Sequence, residues 1–231
     1  MTDRGGLILP SSHIYYFWWG DKTVWPTDAQ TGLEALARGF ASSSVTANSF
    51  MTDIFPQYMR GNSLSTSFVS SYFDGSAPPK SAPSTSAIVN EACNMITANK
   101  LSVDTSAVYF VLTSNFPSSA NYCAWHSWGT CGGKTIQVAY MPNTTGVSGC
   151  NESWNSAISY SAGTNSIGNV LSHEFSEAIT DANGNAWYDQ RGQEIGDKCA
   201  WTFNGLVSLP GAGTWQLQME WSNAANGCIQ Q

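Results

Sequence analysis

Charge is what this sequence has least of: Asp, Glu, Lys and Arg together make up 11% of its 231 residues. Nine basic side chains against sixteen acidic ones leave a net charge of -7. Nucleic acid and anionic membranes both demand a basic surface, so neither fits as a partner. Long apolar runs are also missing. Nothing approaches the roughly 20 residues needed to cross a bilayer, and the densest run, Ile14 to Trp19, reads as a buried strand. That run is no secretory leader either, because it lacks a basic segment before it and a small-residue cleavage site after it. Met1-Thr-Asp-Arg reads as the start of a mature or trimmed chain. There is no Gly-x-Ser-x-Gly elbow, no P-loop, no dinucleotide fingerprint and no Cys-x-x-Cys zinc pair, which removes the chemistries those motifs support.

Histidine is scarce as well, with only His13, His126 and His173 in the chain. One of them opens the stretch His173-Glu174-Phe175-Ser176-Glu177. Around it, Ile167, Val170, Leu171, Phe175, Ala178 and Ile179 follow the i, i+3, i+4 spacing of a helix with one buried stripe. At about 100° per residue, His173 and Glu177 fall within roughly 40° of each other beside that stripe. This is the layout of the zinc-peptidase helix His-Glu-x-x-His, with a carboxylate replacing the second imidazole. The ordinary alternative for such residues is a solvated helical face. Against it stands a concentration of acids in a charge-poor chain: Glu174, Glu177, Asp181, Asp189, Glu194 and Asp197 occupy one short stretch and call for a counter-cation.

A catalytic zinc takes three protein ligands and leaves a position for water. His173 and Glu177 supply the first two. Asp189, Glu194 and Asp197 are the candidates for the third, with Glu194 and Asp197 favoured; Asp197 follows Glu177 by twenty residues. Asp181 is disfavoured, since three positions on one continuous helix rarely converge on a tetrahedral ion. Glu174 is then the general base that takes a proton from metal-activated water. A histidine with two carboxylates makes a zinc ion a weaker Lewis acid and leaves the site tolerant of manganese or calcium. His126 or Tyr188 could face a developing oxyanion, although a Trp-flanked histidine more often has a structural role. Asp181-Ala-Asn-Gly-Asn185 fails as an EF-hand loop, because its glycine sits fourth instead of sixth. A calcium site of another geometry would leave His173 without a purpose. Trp125, Trp128, Trp187, Trp201 and Trp221 are candidate platforms for a sugar ring.

The rest of the chain implies an α+β fold: a central sheet flanked by helices in a single domain over 1–231. Strands are expected at His13–Trp19, Ser65–Phe73, Ala107–Leu112 and Thr135–Tyr140, with short pieces at Glu194–Trp201 and Trp215–Trp221. Helices are expected after Trp25-Pro-Thr-Asp, over Phe50–Met59 with a kink at Pro56, over Ser84–Ala98, and at the site (165–182, capped by Thr164, Asn165 or Ser166). Cys123 to Cys131 reads as a loop, 187–201 as an irregular carboxylate-bearing segment, and no strict βαβ rhythm is evident. The six cysteines are an even set, and abundant Ser, Thr, Asn, Gly and Trp accompany them. Together they indicate a secreted protein with three disulfides, for which fifteen pairings exist. Asn143-Thr-Thr and Asn151-Glu-Ser match the glycosylation pattern.

Several short motifs resemble the EXORDIUM-like (phosphate-induced) protein family: Tyr16-Phe-Trp-Trp-Gly20, Val108-Tyr-Phe-Val-Leu-Thr-Ser114, Tyr122-Cys-Ala-Trp-His126, Gln137-Val-Ala-Tyr-Met-Pro142 and Ile179-Thr-Asp181. The resemblance implies a single extracellular domain. The plant branch of that family has no His-Glu-x-x-Glu set, whereas microbial relatives carry this helix and a following Gly-x-Glu-Ile-Gly-Asp-x-Cys segment. Here that segment falls on Gly192, Glu194, Ile195, Gly196, Asp197 and Cys199. The combined expectation is a secreted zinc hydrolase, an endopeptidase acting on protein or peptide and binding one ion. Its competitor is a non-catalytic extracellular protein that binds cell-wall polysaccharide or structural calcium.

Overall fold

The computed structural model describes residues 1–43, 50–151 and 154–230. Its centre is a five-stranded sheet built from β1 (Ser11–Trp19), β2 (Ser65–Asp74), β3 (Ala107–Thr113), β4 (Trp125–Cys131) and β5 (Lys134–Pro142). The strands lie in the order β2-β1-β3-β5-β4. The first four of these run parallel, and β4 closes the edge antiparallel to β5. The helices are α1 (Ala29–Ser43), α2 (Thr85–Ala98) and α3 (Ala162–Thr180).

The continuous apolar runs follow from this architecture, because strands covered on both faces need apolar side chains on both. Ile14, Tyr16 and Trp18 point into a cluster with Leu33, Leu36 and Phe40 of α1 and Leu171, Phe175 and Ile179 of α3. Phe17 points the other way, into a cluster with Ile88, Ala92 and Ile96 of α2. From β1 the chain moves one way through α1 to β2, then back through α2 to β3 on the far side. Right-handed crossovers in opposite directions put the two helices on opposite faces. The βαβ rhythm that the sequence did not reveal is therefore present in the first half of the chain.

β4 replaces the loop expected between Cys123 and Cys131. Its alternation decides the site: Trp125 pairs with Tyr140, which faces α2, whereas His126 pairs with Ala139, which faces α3. Gly129 is required by the same alternation, since a Cβ there would lie 2.5 Å from Val89 Cγ2 of α2. The helix expected over Phe50–Met59 is instead a π-helical turn, Phe50–Ile54, followed by a 3-10 turn, Phe55–Tyr58, that begins around Pro56. Past α3, β6 (Val207–Leu209) pairs with β7 (Gly213–Trp215), and β8 (Glu220–Ser222) with β9 (Gly227–Ile229). The piece expected at Glu194–Trp201 is no strand: it holds a 3-10 turn at Asp197–Cys199.

All six cysteines are paired, as Cys93–Cys131, Cys123–Cys150 and Cys199–Cys228. No helix among the described residues is long and apolar enough to cross a membrane. Asn143 is 9% exposed and its side chain is engaged by Val24 and Thr145, which leaves no room for a glycan. The second pattern extends to 152 and 153, outside the described residues.

One carboxyl on α2 makes stability depend on pH. Glu91 is 4% exposed, and burial, reinforced by the Asp74 carboxylate beside it, pushes its pKa up to about 7. The folded chain thus keeps this proton in a range where the unfolded chain releases it, so stability falls as pH rises through that window. Thermal melts at about pH 5 and about pH 8 should show a smaller loss in Glu91→Gln than in the wild type. An equal loss in both would remove Glu91 as the cause.

Candidate metal centre

α3 is the element that builds the site. It begins one turn before the expected cap: Ser161 Oγ accepts the Thr164 N–H. Asp28 fixes that end, accepting from Ser161 N at 2.7 Å and from Ser161 Oγ at 2.7 Å. The residues expected to cap the helix form its buried first turn instead. Asn165 bonds both the N–H and the C=O of Gln216, while Ser166 bonds Thr144 and the Cys150 carbonyl. Tertiary partners make this polar turn tolerable inside the protein. The helix ends at Thr180, where Asp181 caps it, and Gly184 follows at φ 61° as the turn requires.

The solvated helical face, the alternative to a metal site, does not exist. From Gly163 to Thr180 every residue of α3 except His173 is buried, Glu174 and Glu177 included. Glu177 sits at the centre. Its Oε1 lies 3.2 Å from His173 Nε2, and its Oε2 lies 3.7 Å from His126 Nε2. The downstream segment closes over it. Asp197 donates its backbone N–H to Glu177 Oε1 at 2.9 Å and places its own Oδ1 3.9 Å from His173 Nε2. Glu194 reaches the other imidazole, with Oε2 3.1 Å from His126 Nε2. Gly196 lets this segment come so close: a Cβ there would stand 2.8 Å from His173 Nδ1 and 3.0 Å from Glu177 Oε1.

Two groups of ligand atoms result, each with its members within 4.8 Å of one another: His173, Glu177 and Asp197, and His126, Glu174 and Glu177. Either could hold a metal ion. Among the described residues no Lys or Arg pairs with any of these acids. Protons take the place of cations. Burial, with the neighbouring acids, lifts Glu174 to about 8 and Glu194 to about 7. Burial opposes charge on the imidazoles too, yet the surrounding carboxylates outweigh it, raising His126 to about 9 and His173 well above its ordinary value. Glu177 is the exception: burial works against its charge, but the His173 and His126 rings hold it below the usual carboxylate range. A divalent cation would exchange with these protons.

His173, Glu174 and Asp197 line a cleft of about 500 Å³, together with Tyr122, Val147 and Trp201. Two disulfides brace it: Cys123–Cys150 forms part of the wall, and Cys199–Cys228 ties the segment carrying Glu194 and Asp197 to β9. Closing a loop with a separation of 29 residues is worth roughly 3–4 kcal/mol. The double variant Cys199→Ser/Cys228→Ser should lose that much stability in denaturant melts and weaken any divalent-metal binding at the cluster. Unchanged metal affinity would show that Asp197 needs no such brace.

Of the expected residues, His173, Glu174, Glu177, Glu194 and Asp197 come together, with Glu194 beside His126 and not beside His173. Asp189 does not join them; its carboxylate pairs with Lys198 at 3.1 Å and accepts from Arg191 and Gln193. Asp181 accepts the Ala186 N–H and holds the turn after α3. Tyr188 stacks under Arg4, 5.0 Å from its ring centroid. Trp187 and Trp221 are bound by Tyr58 and Lys198, so they offer no open platform.

Two members of the cluster were not foreseen as ligands, although His126 was considered as a group facing an oxyanion. His126 belongs to it because β4 is a strand, and an alternation test across Trp125 to Trp128 would have shown which way it points. Glu220 on β8 is 1% exposed, with Ser176 of α3 and His173 beside it. Burial, set against the nearby His173, lifts it to about 8; nothing in its own sequence neighbourhood announces it. No protein-family model matches the chain, and no curated protein matches it.

Proposed function

We propose that the protein is a secreted metal-dependent hydrolase, an endopeptidase that takes zinc at His173, Glu177 and Asp197 and uses Glu174 as general base. The observation that carries this reading is the position of the cleft: His173, Glu174 and Asp197 line it, while Glu177 lies outside its wall and joins them from behind. Imidazole with carboxylates is a zinc donor set, whereas imidazole is a poor ligand for calcium. A bound zinc ion would lower the pKa of water toward about 7. Burial lifts Glu174 to about 8 in the metal-free chain; a bound cation would favour its ionised form, which could accept that proton and pass it to a leaving amine.

A peptide suits the surroundings. Among the described residues, the cleft wall carries no His, Lys, Arg, Asp or Glu apart from His173, Glu174 and Asp197, and the chain that enters β4 runs along it from Ala120 to Ala124. β4 is a sheet edge, so its outer row of N–H and C=O groups could pair with an extended substrate. Three disulfides support an extracellular setting, in line with a microbial branch of the EXORDIUM-like family.

The test is hydrolysis of a denatured protein substrate before and after chelation. Activity should vanish with the metal and return with zinc but not with calcium. Cleavage that survives complete zinc removal would sink the proposal.

A further inference from the structure

We infer that a second divalent cation seats behind the first, held by His126 Nε2, Glu177 Oε2 and Glu194, so that Glu177 bridges a pair of ions. The inference rests on the metal-site reading above and goes beyond its single ion.

The geometry around Glu177 points to it. Its two oxygens face different imidazoles, Oε1 toward His173 and Oε2 toward His126. The two convergent groups of ligand atoms, His173–Glu177–Asp197 and His126–Glu174–Glu177, share Glu177 and no other residue, and Glu194 stands outside the second and meets it through His126. A carboxylate shared this way holds ions about 3.5–4 Å apart in two-metal hydrolases. On the inner side His126 presents a side chain only 8% exposed, with Glu194 Oε2 already 3.1 Å from its Nε2. The second oxygen of Glu194 is buried without a hydrogen-bond partner, so the carboxylate has an unused donor in this space.

Charge balance favours two ions. Glu174, Glu177, Glu194, Asp197 and Glu220 gather around two imidazoles, with no lysine or arginine paired to any of them among the described residues. Ionised together, these five acids would need more than one divalent cation to offset them. Buried carboxylates that stay unpaired are costly.

The two seats differ in access. His173 and Asp197 line the cleft, whereas His126 and Glu194 do not. An outer ion therefore has room for water and substrate. An inner ion is closed in by protein, as structural zinc sites are. Glu174 lies within ligand distance of His126 and Glu177, but its place on the cleft wall leaves it facing the water of the outer seat.

Zinc titration of the metal-free full-length chain tests the inference, with bound zinc counted by elemental analysis after gel filtration. We expect two zinc ions per chain, falling to one in His126→Ala and to one in His173→Ala. Glu194→Gln, which keeps shape and removes charge, serves the same purpose if His126→Ala does not fold. Manganese should give the broadened resonance of a spin-coupled pair in the wild type and an isolated-ion spectrum in these variants. One zinc per chain, unaffected by Glu194→Gln, would overturn the inner seat and leave the hydrolase reading standing. Two ions retained in every inner-seat variant would also overturn it, and no bound zinc would overturn both readings.

Discussion

Glu174→Gln is expected to keep the zinc of the outer seat and to hydrolyse peptide roughly 10²- to 10⁴-fold more slowly than the wild type, the span typical of a lost general base. The amide keeps the size of the carboxyl and loses only the ability to take a proton. Because the ligands assigned to the outer seat are His173, Glu177 and Asp197, its zinc should survive. A Glu174 role confined to packing predicts the opposite pattern, near-normal turnover with altered stability. Steady-state kinetics beside metal analysis separates the two, and wild-type turnover by a zinc-loaded Glu174→Gln would refute the assignment. The pH profile adds a second reading. Burial lifts Glu174 to about 8 in the metal-free chain, and the zinc-loaded enzyme should gain activity with pH below that value, because a cation favours the ionised carboxylate.

Removing the metal should lower the melting temperature by roughly 8–16 °C. A ligand at a thousand times its dissociation constant contributes about 4 kcal/mol, and each kcal/mol moves the midpoint of a domain this size by about 2–4 °C. The loss should also grow with pH. Glu174, Glu194 and Glu220 have raised values in the folded, metal-free chain, as do His126 and His173. Groups that bind protons more tightly when folded stabilise at low pH, and they lose that contribution as pH rises through their folded values. The lowered Glu177 works in the reverse sense but is outnumbered. Calorimetry with and without chelator, at about pH 5 and about pH 8, should give a larger difference at the higher pH. A chelator effect independent of pH would mean that protons do not stand in for the cation.

The parts of this structure that are visible in the sequence are those fixed by local pattern. The apolar continuity of β1, the stripe of α3, and the span of α2 from about Ser84 to Ala98 were all legible before folding. So was the helical turn that carries His173, Glu174 and Glu177, whereas the choice among Asp189, Glu194 and Asp197 as the acid beside His173 was not. What stayed hidden depends on contacts between distant parts of the chain. β4 resembles a loop until β5 pairs with it, and only that pairing aims His126 at Glu177. The start of α3 looks like solvated cap residues until Gln216 and Cys150 bury and satisfy them. Glu220 lies far along the chain from α3, and only the packing of β8 brings it near His173. Asp189 shows the converse: its sequence position suits a ligand, but a turn and Lys198 claim its carboxylate.

The most direct test of the central claim is anomalous diffraction at the zinc absorption edge, from crystals of the full chain grown without chelator. A peak within about 2.0–2.2 Å of His173 Nε2, Glu177 and Asp197 is the result predicted here. Its absence, with these side chains still joined only to one another by hydrogen bonds, would contradict the assignment of this cleft as a metal centre.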